Sequence, residues 1–328
     1  MVQCQCLTKQ NTQCKNSAKT GKIFCWQHSK CKKAISHRNR PQKFQSSKEK
    51  NPFSGLSQAE LNDELIEAAE YGEIEEVKQL LKAGANLHVD NDLALRKAAQ
   101  NGHADVVKLL LSEGADVHAM NDTALRVAAT GGYVEVIQEL LKAGADVHAN
   151  GDWALREAAV HGSVEIVKLL LDAGADVHAH NDQALREASE MGHLEVVKLL
   201  LRAGADVNAM GDQALIRAVS MGHLDIVKLL LSAGADLLAS YDYALQLAAG
   251  KGYIDVVKEL YKWGKDVYGD ADDNDTVTQA LQLASELGHL RVVKFLLSVG
   301  ADPNYVDLED IKHEEIIKEL EKALKSRR

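Results

Sequence analysis

The sequence predicts an all-α fold: a solenoid of stacked helical hairpins with short fingers, joined to a small N-terminal Cys/His segment. Two observations carry this. The first is a fixed period. Asn121-Asp122-Thr123-Ala124-Leu125-Arg126 returns thirty residues later as Gly151-Asp152-Trp153-Ala154-Leu155-Arg156, and again as Asn181-Asp182-Gln183-Ala184-Leu185-Arg186. A period of this length means a stacked array rather than a globule around one pocket. The second is a split in composition. Residues 1–50 carry 12 Lys and Arg and one acid, Glu49. The whole chain holds 38 basic and 48 acidic residues, so the remainder holds 26 and 47, near −21. All five cysteines lie at or before position 31. These features divide the chain into a Cys/His segment (1–31), a basic linker (32–55), an array of about eight units (56–307) and a C-terminal capping helix (308–328).

The first segment holds Cys4, Cys14, Cys25 and His28, with Cys6 and Cys31 left over. Thiolate and imidazole are the usual ligands of structural zinc, which takes four tetrahedrally. The Cys25/His28 pair has chelating spacing, and Lys15, Lys22 and Lys30 favour thiolate over thiol. A stretch this short has almost no core, so a metal would staple it. The competing reading is a reduced tail with incidental thiols, and Cys6 competes with Cys4 as ligand. An odd cysteine count argues against disulfides.

Residues 32–55 carry Lys32, Lys33, Arg38, Arg40, Lys43, Lys48 and Lys50 with Pro41 and Pro52. The stretch reads as a flexible basic linker. Such a tail could neutralise nucleic-acid phosphates or act as a nuclear address. Few aromatics are present for base stacking, which favours a plain linker.

The array follows one plan, clearest in Asn91 to Met120. Asp92 precedes a short helix with Ala94, Leu95, Ala98 and Ala99 at helical apolar spacing. Its carboxylate is expected to cap the free N–H groups of the first turn. Gly102 breaks that helix, and Ala104 to Ser112 forms a second with Val106, Val107, Leu109, Leu110 and Leu111 on a wide apolar face. Gly114 ends it, and Ala115 to Ala119 leads to the next turn. The first turn position is Asn, Asn, Gly, Asn and Gly across five units, which implies positive φ there; Tyr241 is the exception. A final unit at Val277 to Val306 sits six residues out of phase, which places an insertion in a loop at Asp270–Asp275. Glu64, Glu67, Glu70, Glu73 and Glu75 make the first unit polar, and Leu308 to Leu324 reads as one amphipathic helix sealing the last through Ile316, Ile317, Leu320 and Leu324.

Gly192-His193-Leu194-Glu195-Val196-Val197-Lys198-Leu199-Leu200-Leu201, followed by Ala203-Gly204-Ala205-Asp206-Val207-Asn208-Ala209, resembles the second helix and turn of the ankyrin repeat family. The resemblance covers roughly residues 61–307. It implies an ankyrin-repeat solenoid, a protein partner, and docking on the concave side formed by fingers and first helices. Two departures stand out. The unit is 30 residues where the family's is 33, and the family's Thr-Pro-Leu-His appears as Trp153-Ala154-Leu155-Arg156 and relatives. The 30-residue form is most similar to arrays of giant viruses of amoebae, which implies a viral protein. The Cys4–His28 stretch also resembles a small Cys/His motif on other giant-virus proteins, with Cys4 in the first ligand position and Cys6 outside the ligand set.

The position after the capping Asp varies freely: Leu93, Thr123, Trp153, Gln183, Gln213, Tyr243. Stacking does not dictate that residue, and large aromatics at such sites are typical binding hot spots. Trp153, Tyr241 and Tyr243 are therefore the predicted contacts. Arg96, Arg126, Arg156 and Arg186 form a row spaced ~10 Å apart, each four residues after an Asp. They could meet the partner, or pair with the Asp on the same helix for a few tenths of a kcal/mol.

Other sites fail on spacing. His103, His193, His223 and His289 share one repeat position, and His118, His148 and His178 another. Units stack ~8–10 Å apart, so neighbouring imidazoles cannot share a zinc with bonds of ~2 Å. Asp270 to Asp275 hints at a calcium loop, but its sixth position is Asp275 rather than Gly and its twelfth is Leu281 rather than Glu. There is no phosphate-cradling glycine loop and no serine elbow.

The sequence thus predicts a non-catalytic, monomeric protein-binding scaffold in the cytoplasm, with nuclear entry as a variant. No apolar run approaches the ~20 residues of a membrane span, and no secretion signal is evident. The rival class is a nucleic-acid-associated protein acting through residues 1–50. A ubiquitin-ligase adaptor would need a ligase-binding module, for which the C-terminal helix is too short.

Overall fold

The computed structural model describes residues 53–237, 240–268 and 274–327. The candidate zinc ligands Cys4, Cys14, Cys25 and His28, the basic stretch up to Pro52, and most of the acidic run at 270–275 lie outside the described residues.

Among the described residues the chain is helical throughout, with seventeen α-helices, one 3₁₀ turn and no strand. Sixteen helices form eight hairpins: α1 (Gln58–Tyr71) with α2 (Ile74–Lys82), α3 (Leu93–Gln100) with α4 (Ala104–Ser112), α5 (Ala119–Gly131) with α6 (Val134–Lys142), and α7 (Ala149–Val160) with α8 (Val164–Asp172). Then come α9 (Ala179–Met191) with α10 (Leu194–Arg202), α11 (Ala209–Met221) with α12 (Leu224–Ser232), α13 (Tyr241–Gly250) with α14 (Ile254–Tyr268), and α15 (Asn274–Glu286) with α16 (Leu290–Ser298). First helices pack on first helices and second on second. None is long and apolar enough to cross a membrane.

The apolar spacing explains the packing. In α7, Ala154, Leu155, Ala158 and Ala159 are buried; in α8, Ile166, Val167 and Leu170 are buried. Alanines on the first helix let neighbouring first helices approach closely, while branched side chains fill the wider gap between second helices. The core is therefore one continuous cluster from Phe53 to Leu320, as stacking requires.

The periodic histidines staple successive units. His103 Nε2 lies 2.9 Å from Glu70 O, His193 Nε2 2.9 Å from Val160 O, His223 Nε2 2.9 Å from Glu190 O and His289 Nε2 2.8 Å from Gly250 O. A carbonyl only accepts, so each Nε2 carries the hydrogen. The same ring covers a glycine of the unit before: a Cβ on Gly162, at φ +68°, would sit 2.5 Å from His193 Nδ1.

Both ends differ in detail from expectation. Ser57 Oγ accepts from Glu60 N–H at 3.3 Å while Ser57 N–H donates to Glu60 Oε2 at 2.8 Å, a reciprocal cap on α1. Phe53, assigned to the linker, is buried in the core and belongs to the array. At the other end the helix is shorter than predicted: α17 runs Glu314–Ser326, and Leu308 lies outside it. Ile316 and Leu320 are buried, with Ile317 packed against the core. His313, ahead of α17, covers Gly288 as His289 covers Gly252. The C-terminal helix thus occupies the place of a ninth second helix, sealing α16 without a first-helix partner.

The predicted insertion at Asp270–Asp275 lies mostly outside the described residues, but the helix before it is lengthened. Helix α14 runs to Tyr268, fifteen residues against nine in α12. Gly234 ends α12 at φ +95°, whereas Gly264, its counterpart, stays within a helix. The helix therefore continues through positions that form the finger after Gly234.

Candidate partner-binding ridge

Where one unit passes to the next, three successive residues adopt left-handed backbone. Met120, Asn121 and Asp122 have φ of 54°, 55° and 51°; Asn150, Gly151 and Asp152, then His180, Asn181 and Asp182, then Met210, Gly211 and Asp212, repeat the turn. The sequence pattern predicts positive φ at the middle residue alone. A non-glycine residue there costs roughly 1–2 kcal/mol, so the turn needs bonds to hold it.

The buried aspartate supplies two of them. Asp122 Oδ1 accepts from Asp146 N–H at 2.8 Å and lies 3.1 Å from His118 Nδ1. Asp152 and Asp182 do the same toward Asp176 with His148, and Asp206 with His178. Asp92 accepts from Asp116 N–H at 3.0 Å and meets His88. The expected helix cap is not made: none of these aspartates accepts from its own first turn. Left-handed φ at the Asp turns its carboxylate toward the following finger. At Asp212 the histidine is replaced by Asn208. Burial holds its carboxyl above the usual range, partly offset by the hydrogen bond from Asp236 N–H.

Arginine supplies the rest. Arg96 donates to Asp90 O (2.7 Å) and Asn91 O (3.1 Å); Arg156 donates to Asn150 O and Gly151 O (both 3.3 Å); Arg186 donates to His180 O (3.0 Å) and Asn181 O (3.1 Å). Each guanidinium thus clamps the carbonyls of its own left-handed turn. This corrects the Asp–Arg pairing on one helix expected for Arg96, Arg156 and Arg186: the turn carbonyls, not the Asp four residues before, hold each guanidinium. Arg186 is only 9% exposed, and burial, with Arg217 nearby, lowers its pKa.

The three predicted aromatics separate. Trp153 is 36% exposed and Tyr243 is 59% exposed, both at the start of a first helix. The Trp153 ring has the Arg156 guanidinium 5.0 Å from its centre and that of Arg126 at 5.9 Å. Tyr241 is a correction. It is 3% exposed, its ring 5.9 Å from that of Trp263, and a Cβ on Gly264 would collide with its hydroxyl. It fills the joint beneath the extended α14 and serves the fold. Met120 and Met210, at the first left-handed position, are more than half exposed and join Trp153 and Tyr243 on the turn side of the stack. Sequence reading missed them, although their position, two before the Asp, varies as freely as the one after it.

The outward positions of the second helices are charged by contrast: Asp105 and Lys108, or Glu165 and Lys168, are exposed. A cleft of about 420 Å³ lies at the N-terminal end, lined by Phe53, Glu73, Ile74, Glu75, Glu76 and Gln79. Among the described residues no group of three His, Cys, Asp or Glu side chains is placed to hold a metal ion.

A family model described as Ankyrin repeats (3 copies) matches residues 65–151, 118–181, 155–241 and 237–307. Comparison with curated proteins gives no match.

Proposed function

The chain belongs to the ankyrin-repeat family, and from that membership we propose that its array is a non-catalytic scaffold holding a protein partner on the turn and first-helix ridge. Ankyrin repeats imply a protein–protein interaction scaffold, and the family is typically non-catalytic. The observation that carries the location is the exposure of Trp153 and Tyr243 at a repeat position that stacking leaves open. Large, stiff amphipathic rings give contact area at low entropic cost. Trp153→Ala with Tyr243→Ala is expected to abolish capture of partners that the full chain retains from cell lysate and that bind again when purified. The melting curve should shift by only a few degrees, because both rings stand partly outside the core. Undiminished capture by the double variant would place binding elsewhere.

Two finer parts of the reading rest on sequence alone. One is a viral protein engaging a host or viral partner, supported by the 30-residue unit and the Cys/His stretch. The other is structural zinc on Cys4, Cys14, Cys25 and His28. The full chain, purified under reducing conditions, is expected to carry one equivalent of zinc by elemental analysis, and Cys25→Ser to lose most of it. Less than about a tenth of an equivalent in the full chain would remove zinc from the reading. Salt-sensitive binding of duplex DNA or RNA by the same preparation would favour the nucleic-acid alternative, for which the charge near +11 on residues 1–50 is the supporting feature.

A further inference from the structure

One arginine of the row departs from the other three. Arg126 does not clamp its turn. Its Nη2 donates to Thr123 Oγ1 at 2.7 Å, and that hydroxyl donates to Met120 O at 2.7 Å. Met120 O corresponds to Asp90 O, the carbonyl that Arg96 reaches directly. The threonine is therefore inserted between guanidinium and turn. The Nε of Arg126 is buried and has no hydrogen-bond partner. Among buried polar groups such an orphan is uncommon and calls for an explanation.

The displaced guanidinium shares the Trp153 ring with a second one. Arg156 is fixed by its own turn and by Gln183 Oε1 at 3.2 Å. Both cations stand within 6 Å of the half-exposed Trp153 ring. Two guanidinium groups thus share one indole, and among the described residues no carboxylate is paired with either. The nearby Glu157 accepts from Thr130 and faces His161 instead. An arginine presents five N–H donors in a planar fork that matches a carboxylate, and Arg126 spends one of them on Thr123.

We propose that Arg126, Trp153 and Arg156 form a subsite for a glutamate or aspartate side chain on an exposed segment of the protein partner. The proposal rests on the scaffold reading and deepens it. The carboxylate takes N–H donors of Arg126 that Thr123 leaves unused and supplies the counter-charge that neither arginine has. The Trp153 face supplies an apolar wall for the neighbouring residue. Because the array is acidic overall, near −21, this cation pair selects by local register rather than bulk attraction.

The test uses the full chain and a capped hexapeptide alternating glutamate and leucine, with lysine and phosphoserine versions as comparators, followed by calorimetry. The glutamate peptide is expected to bind, more weakly as salt rises. Arg126→Gln should weaken it at least tenfold. Thr123→Leu should also weaken it, since Leu93 stands at that position where Arg96 returns to its turn. Both variants should melt like the parent. Equal affinity of Arg126→Gln and the parent, binding of the lysine peptide, binding of the phosphoserine peptide alone, or no binding of any peptide would overturn the subsite. Partner capture that still depends on Trp153 and Tyr243 would then leave the scaffold reading standing, so the two fail separately.

Discussion

Leu170→Ala is expected to destabilise the array by about 2–5 kcal/mol, measured as a lowered urea midpoint at unchanged slope. Leu170 is 0% exposed and belongs to α8, a second helix with a stacked neighbour on each side. Its loss removes transfer free energy and leaves a cavity that both neighbours line. Leu320→Ala is the informative control. Leu320 is equally buried, so its transfer term is similar. Helix α17, however, rests on α16 at the end of the stack and can fray without unstacking the interior. A smaller shift is expected there. Equal shifts would contradict nearest-neighbour stacking.

Asp152→Ala should come close in size. The buried carboxylate receives Asp176 N–H at 2.7 Å and His148 Nδ1 at 3.1 Å, and its residue sits at φ 56°. Alanine leaves the part-buried Asp176 N–H without its acceptor, at up to about 1–3 kcal/mol. It also tolerates left-handed backbone poorly, adding roughly 1 kcal/mol. Asp152→Asn keeps an acceptor and a residue suited to that backbone, so it should lose less than half as much. Thermal melts of the two variants decide it. An alanine variant as stable as the parent would mean the finger is held by other bonds.

Much of the fold was legible because repetition multiplies weak signals. A single Leu-Leu-Leu run at 169–171 is ambiguous, but the same run at 199–201 and 229–231 after Gly-x-x at a fixed step is not. Spacing therefore revealed the helices, the hairpin pairing, the stacked core and the positive φ at Asn121 and its equivalents. The site was legible only in part. Free variation at positions 153 and 243 found exposed aromatics, because exposure is what releases a position from the repeat. The same rule misplaced Tyr241. That residue departs from the repeat because it fills a joint made by the lengthened α14, and departure alone does not distinguish a ligand contact from a local repair.

What the sequence determined by itself, then, is everything set by local periodicity: hairpins, their order, and which face of each is apolar. The tertiary structure decided how polar groups were assigned. Asp122 precedes a helix, and by local rules its carboxylate should cap it. Across the turn, however, the part-buried Asp146 N–H takes that carboxylate as its acceptor. Arg156 is four residues from Asp152, yet it closes over the carbonyls of Asn150 and Gly151. A buried hydrogen-bonding group takes the partner that relieves the largest desolvation cost, and that partner is set by how the units stack, not by distance along the chain.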